Sequence, residues 1–387
     1  MEQNQSNITI EPWLAIDYAN LALGSVMITL TAGGFLGNVL STLIYTDVQQ
    51  RRKSIGVLLS ALSITDACLL LLALPAFAFA PISSLLYGPL AGEVDFELLN
   101  RWLQFNVLYL YPVCRILRFI SVWLLLVITI ERWVAVCKPL KAAVYCTKAR
   151  ALRSVLVVVV TAMLFHSVRF WENKPSEQTV FEPLLRKYDL YKLWYTNIGT
   201  TLVEYLIPLV VLCFLSYQVI GTMNRAKLTR RRLTTNQTNE YNTTKMMIAV
   251  IIVFLACSTI SFILNNVEWL KGDFFITALG NLISDINNIL VMFNSATTAI
   301  FYYKFSESYR KHAKHVLKCH QTQTNSDNLS KYTMIMGQST TNHVSVTVHF
   351  EDEPSPNTCL LSSPPLSNTA RPRAASWNDV ATAQENL

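Results

Sequence analysis

Charge is what this sequence has least of. Only 15% of its 387 residues are Asp, Glu, Lys or Arg, where a water-soluble domain carries about 25%. Hydrophobic residues make up 52% of the chain and come in long blocks. That combination excludes an ordinary soluble domain and fits a chain that crosses a membrane repeatedly. The chain also lacks a nucleophile–base pair, metal-ligand spacing and a phosphate-binding loop, so an enzyme is not expected. It has no internal repeat, which speaks against a transporter or channel. Its first residues are polar, without the basic start and short apolar core of a cleavable signal peptide. No nucleic-acid partner is expected.

What is present is seven apolar segments, each near the roughly 20 residues that a helix needs to span the hydrocarbon of a bilayer. They run Tyr18–Tyr45, Ile55–Phe79, Gln104–Val136, Ala149–Phe170, Trp194–Met223, Thr243–Val267 and Phe274–Tyr303. Basic residues sort the loops between them. Arg51, Arg52 and Lys53 join helices one and two, Lys138, Lys141, Lys148 and Arg150 join three and four, and Arg225 to Lys245 join five and six. The N-terminal tail has no Lys or Arg, and the loop between four and five is mixed in charge. The positive-inside rule then puts the N-terminus outside and the C-terminal tail in the cytosol. Two sequons at Asn4 and Asn7 agree with an outside tail as glycosylation sites. The expected organisation is an extracellular tail over 1–17 and an all-α seven-helix bundle over 18–303. A short amphipathic helix over 304–319 follows on the anionic inner leaflet, with membrane lipids as its partner, and then a disordered tail over 320–387. Cys319 is either a palmitoylation site at the end of that helix or an ordinary cytosolic thiol.

Polar groups inside apolar helices are costly and therefore informative. Helix three ends in Glu131-Arg132-Trp133, with Pro139 seven residues past Arg132. Helix one carries Gly37-Asn38-Val39, helix two Leu62-Ser63-Ile64-Thr65-Asp66, helix five Pro208, and helix seven Asn294-Ser295-Ala296-Thr297-Thr298-Ala299-Ile300-Phe301-Tyr302. This set resembles the rhodopsin-like G-protein-coupled receptors, over roughly residues 20–320. Several of the family's motifs are altered. Trp133 holds the Tyr position of Asp/Glu-Arg-Tyr, and Thr298 and Ala299 replace the Asn-Pro of helix seven. Helix six reads Cys257-Ser258-Thr259-Ile260 where the family has Cys-Trp-x-Pro. Val107 stands where the helix-three cysteine would be, and no cysteine lies in the predicted outer loops, so the usual disulfide staple is not expected. A light-sensing opsin would need a Schiff-base Lys in helix seven, where Met292 stands. The wording around Glu131–Ala151, Arg169-Phe-Trp-Glu172, Tyr205-Leu-Ile-Pro208 and Lys245-Met-Met-Ile248 looks like the invertebrate FMRFamide-type neuropeptide receptors.

The resemblance implies an extracellular peptide ligand, a heterotrimeric G protein as partner, and arrestin and receptor kinases acting on the Ser/Thr-rich tail. It implies a switch made of Glu131, Arg132, Trp133, Glu240 and Tyr302. Glu240 is either the acid of a resting lock with Arg132 or a solvated loop acid. Asp66, Ser121 and Asn294 match the family's sodium-binding positions; the alternative is a protonated, hydrogen-bonded Asp66 with no cofactor. Arg115 and Arg118 lie three apart on one face of helix three and must face a cavity. An Arg118–Glu204 pair is expected, with Arg115 left for ligand, unless these groups only pair among themselves. Trp102, Tyr109, Glu268 and Asp285 complete the expected ligand-binding rim, the two acids being candidates for the Arg of an amidated Arg-Phe peptide.

Overall fold

The computed structural model describes residues 12–47, 53–78, 96–176, 181–229, 235–270, 277–305, 309–311 and 313–314, with side chains described for these except 12–17, 96, 226–229, 235–243, 265, 268–270 and 278. Asn4, Asn7, Glu268, Cys319 and the tail over 320–387 lie outside the described residues or side chains, and so does the side chain of Glu240.

Long helices dominate. The first rod is α1 (Pro12–Thr46) and the second is α2 (Ser54–Ala73) with a π-helical extension over Leu74–Ala78. The third joins α3 (Phe96–Phe105) through a π-helical stretch, Asn106–Leu110, to α4 (Tyr111–Cys137). A short α5 (Pro139–Tyr145) leads to the fourth rod, α6 (Lys148–His166), whose first turn is capped by the Thr147 hydroxyl accepting from the Arg150 N–H. An antiparallel hairpin follows, β1 (Asn173–Pro175) and β2 (Phe181–Pro183), with Lys174 opposite Glu182. The fifth rod runs from α7 (Asp189–Tyr191) through π-helical turns over Lys192–Gly199 and Thr201–Leu206 into α8 (Ile207–Thr229). The sixth is α9 (Thr235–Leu270) and the seventh α10 (Ala278–Phe305).

Proline explains where the rods widen. It has no N–H to give to the carbonyl four residues back, and its ring crowds that carbonyl. Pro75, Pro112 and Pro208 each lie within or just after a π-helical stretch. An extra residue in a turn rotates everything beyond it, so side chains before and after these stretches do not follow one helical period.

Among the described residues, six of the rods are long and apolar enough to cross a membrane, covering Tyr18–Thr46, Ser54–Ala78, Glu97–Cys137, Lys148–Trp171, Asp189–Arg225 and Thr244–Leu264. Their outer faces are apolar: Leu36, Leu156, Leu164 and Phe214 are 58–73% exposed. A soluble protein would not present such belts, and lipid tails would cover them. The core is on the inner faces. Phe119, Leu124 and Ile128 of α4 pack with Leu58 and Leu62 of α2 and with Val158 and Ala162 of α6. The first and seventh rods touch closely. A Cβ on Gly34 would lie 2.6 Å from the Ala296 Cβ, and one on Gly37 2.8 Å from the Ala299 Cβ. The Asn38 amide then donates to the Gly34 and Ser295 carbonyls at 2.9 and 3.0 Å.

Candidate functional site

A cavity of about 400 Å³ opens between α4, the fifth rod, α9 and the residues flanking the hairpin. Its charges are five cations, Arg115, Arg118, Arg169, Arg186 and Lys192, and two carboxylates, Glu172 and Glu204. The π-helical turn over Thr201–Leu206 carries Glu204 to α4, where it accepts two hydrogen bonds from one Arg115 nitrogen, both 2.9 Å. The two side chains are only 15% and 11% exposed, a dry setting in which charge-assisted bonds are strong. His166 is fully buried beside this pair, its Nε2 3.7 Å from Glu204, while its Nδ1 accepts from the Arg169 Nε at 3.2 Å.

Arg169 and Glu172 form a second buried pair at 3.2 Å. Glu172 does more than neutralise Arg169. Its carboxylate accepts from the Tyr191 hydroxyl at 2.7 Å, and its carbonyl accepts from the Leu184 and Leu185 N–H groups at 2.8 and 3.1 Å. Gln104 at the start of the third rod donates to the Ser176 carbonyl at 2.8 Å. The hairpin is therefore tied to the third, fourth and fifth rods by polar contacts. On the hairpin itself Lys174 lies 2.7 Å from Glu182 and holds that carboxyl below its ordinary range. The described cysteines, Cys68, Cys114, Cys137, Cys146, Cys213 and Cys257, are all free thiols.

Arg118 lies one turn of α4 further in than Arg115. Among the described residues it has no hydrogen bond and no ion pair. Its side chain lines a second, small cavity of about 20 Å³ together with Ser121, Cys257, Ser258, Asn294 and Ser295. Beyond it Asp66 is 1% exposed and accepts from the Ser121 hydroxyl at 2.7 Å, with the Ser295 and Thr298 hydroxyls nearby, the latter donating to the Asn294 carbonyl at 3.3 Å.

At the opposite end of α4, Arg132 lies 3.6 Å from Glu131, its one ion-pair partner among the described residues. Glu131 is held in turn by the Ser54 hydroxyl of α2, and its carbonyl by the Cys146 thiol at 3.8 Å. The Trp133 indole donates to Gln218 of α8 at 2.5 Å, and the Lys138 ammonium sits 4.4 Å over its ring. Tyr302 is 1% exposed, edge-on to Tyr45 at 5.4 Å and near Tyr309, whose hydroxyl pairs with Ser41 at 2.9 Å.

Comparison with known proteins bears on all of this. The family described as "7 transmembrane receptor (rhodopsin family)" matches residues 37–302. The chain belongs to the rhodopsin family of seven-transmembrane receptors. It is a receptor and not an enzyme. Among its relatives, the "FMRFamide peptide receptor frpr-18" of Caenorhabditis elegans is 33% identical over 306 residues, 76% of this chain and 69% of that protein. The "FMRFamide receptor" of Drosophila melanogaster is 28% identical over 288 residues, 72% of this chain but only half of that protein. "Neuromedin-U receptor 2" of Mus musculus is 24% identical over 306 residues, 73% of this chain and 72% of that protein.

In this receptor the cavity collects Arg115, Arg118 and Glu204, as expected, but it pairs them differently. The acid bonds to Arg115 and not to Arg118, because the widened turn before Pro208 brings Glu204 level with the upper arginine. Three expected rim residues do not line the cavity. Trp102 packs into a cluster with Leu69, Ala76, Leu110 and Cys114. Tyr109 is 53% exposed and touches Phe105, since the π-helical stretch rotates it away from the face that bears Tyr111 and Arg115. Asp285 on α10 lies beside Asn288 of the same helix. Sequence reasoning gave Arg169, Glu172, Arg186 and Lys192 no place at the ligand site, the last three being counted only as charges of the four-to-five loop; a charged pair three apart at the end of helix four was the available signal. The donor set around Asp66 suits a hard cation: one carboxylate, three hydroxyls, and Asn294 on the adjoining small cavity.

Proposed function

We propose that the receptor responds to an extracellular neuropeptide of the FMRFamide type and passes the signal to a heterotrimeric G protein at the plasma membrane. The observation that carries this reading is a deep polar cavity in a rhodopsin-family chain whose relatives at 33% and 28% identity are named FMRFamide receptors. On this reading the hairpin end is extracellular and the Arg132 end cytoplasmic. α10 is the seventh span, although Asn281, Asp285, Asn287, Asn288 and Asn294 make it less apolar than the other six. Residues 304–319 lie along the inner leaflet, and the tail beyond them takes receptor kinases and arrestin.

Activation would then be a shift between two packings, since a ligand moves such an equilibrium only by binding one of them more tightly. Glu131 and Ser54 hold Arg132 against its own helix in the resting packing. Peptide in the cavity stabilises the packing that releases Arg132 to the G protein. Asp66, Ser121 and Asn294 would hold a sodium ion that supports the resting packing through its charge on Asp66.

The test is a G-protein activation assay in cells expressing the full chain, challenged with amidated neuropeptides including Arg-Phe-amide forms. A saturable response that disappears in Arg132→Ala, at unchanged surface expression, is expected. A response that survives Arg132→Ala rules out the role given to Arg132, and silence across the panel with good surface expression rules out the ligand class.

A further inference from the structure

We infer that the cavity is built to receive a carboxylate at Arg118, and hence that the peptide ligand brings an acidic group into it. The identity of the carrier rests on the peptide-receptor reading above; the chemistry of the site does not.

Among the described residues, the cavity's own acids are already used. Glu204 is bonded twice to Arg115, and Glu172 is bonded to Arg169. Of the remaining cations, Lys192 has only the loose, exposed contact with Asp189 at 3.5 Å, and Arg118 and Arg186 have no ion pair among the described residues. Three positive charges are thus left over around one cavity, and they lie at different depths. Arg186 and Lys192 are on the hairpin side, Arg186 exposed, whereas Arg118 lies at the inner end, partly buried within α4. A guanidinium so placed, with no bonded counter-charge among the described residues, only the more distant field of Glu204, and with a second cation one turn away, is expensive to hold. A ligand carboxylate offsets that cost, because a guanidinium offers a planar fork of donors that matches it. The charges nearer the hairpin would draw an anion in. An Arg side chain of a peptide meets the opposite situation: both described acids of the cavity would have to give up a buried partner to take it. At Arg118 the ligand group that gains is an acidic one.

The carboxylate can come from an Asp or Glu side chain or from a free C-terminus, and two measurements separate these sources and test the site. The first is the melting temperature of the purified full-length receptor, titrated with sodium glutarate or with neutral glutaramide at matched ionic strength. Glutarate should raise it saturably and glutaramide should not. The glutarate effect should weaken at least tenfold in Arg118→Gln and be partly kept in Arg118→Lys. Equal shifts from the two compounds, or a glutarate shift that persists in Arg118→Gln, overturn the proposal. The second is activation by amidated Arg-Phe peptides made as Glu and Gln twins, and by the Gln twin as a free acid. A tenfold or greater preference for a carboxylate form that collapses in Arg118→Gln supports the site and names its source. Equipotent twins overturn the carboxylate site and leave the receptor reading standing. A silent panel together with a glutarate shift does the reverse.

Discussion

The pairing inside the cavity gives a sharp test, because two arginines compete for one acid. Arg115 and Glu204 are joined by two 2.9 Å bonds and are 15% and 11% exposed. Removing one member of such a pair leaves the other charge buried and uncompensated, at a cost of about 3–5 kcal/mol. At roughly 2–4 °C per kcal/mol for a folded unit of this size, Arg115→Gln and Glu204→Gln should each lower the melting temperature by roughly 6 °C or more. The double change should cost clearly less than the two together, with a coupling of about 1–3 kcal/mol. Arg118→Gln should behave in the opposite way: it removes an unpaired cation from beside Arg115, so it should leave the melting temperature unchanged or raise it. The assay is thermal unfolding of the purified receptor for the four members of each cycle. Additive losses for Arg115 and Glu204, with the larger coupling between Arg118 and Glu204, would refute the pairing.

Three further changes probe other parts of the structure. Glu172→Gln keeps the shape of the side chain but removes the charge that faces Arg169; it should cost about 3 kcal/mol and lower ligand potency by loosening the hairpin, with hydrogen exchange at Leu184 and Leu185 as the readout. Gly34→Leu should break the contact of the first and seventh rods and reduce surface expression, whereas Gly33→Leu, with nothing within 4 Å, should be tolerated; equal effects of the two would show that the close approach at Gly34 is not needed. Ser258→Trp fills the floor between the two cavities and should reduce agonist potency at least tenfold at normal surface expression; unchanged potency would mean that ligand does not reach that depth.

The parts of this molecule that were legible in the sequence are those where a polar residue interrupts an apolar run. Asn38, Asp66, Arg115, Arg118 and Arg132 stand out because a membrane helix cannot carry them without a reason. Their partners were harder to read. Matching Glu204 to an arginine requires knowing how far the fifth rod is turned at Glu204, and the π-helical stretches before Pro112 and Pro208 break the period from which that is judged. The same rotation put Tyr109 on the wrong face. The hairpin has three-residue strands with no alternation to show them, and it is fixed mainly by Glu172, an acid that looks like any loop charge until four bonds are seen to converge on it. The missing disulfide was plain from the cysteine positions, but the polar clasp that ties the hairpin down here was not, because a clasp of this kind needs no diagnostic residue type.

The altered motif of helix six has a structural counterpart in the cavities. Ser258 stands where the family carries a Trp, and it lines both the 400 Å³ cavity and the 20 Å³ one beneath it. Arg118 is the other charged or polar residue common to both. An indole at 258 would fill the space that Arg118 needs, so the small residue and the deep arginine go together: the loss of one makes room for the other. The small cavity beside the Asp66–Ser121 bond is lined by Phe254 and by a guanidinium that reaches from Ser121's own helix. A group that binds Arg118 acts one turn from Ser121, on the helix that ends in Arg132. On the proposal above, coupling between the two ends of α4 would not require the helix-six Trp; it would require that Arg118 have one partner in one packing and another, or none, in the other packing.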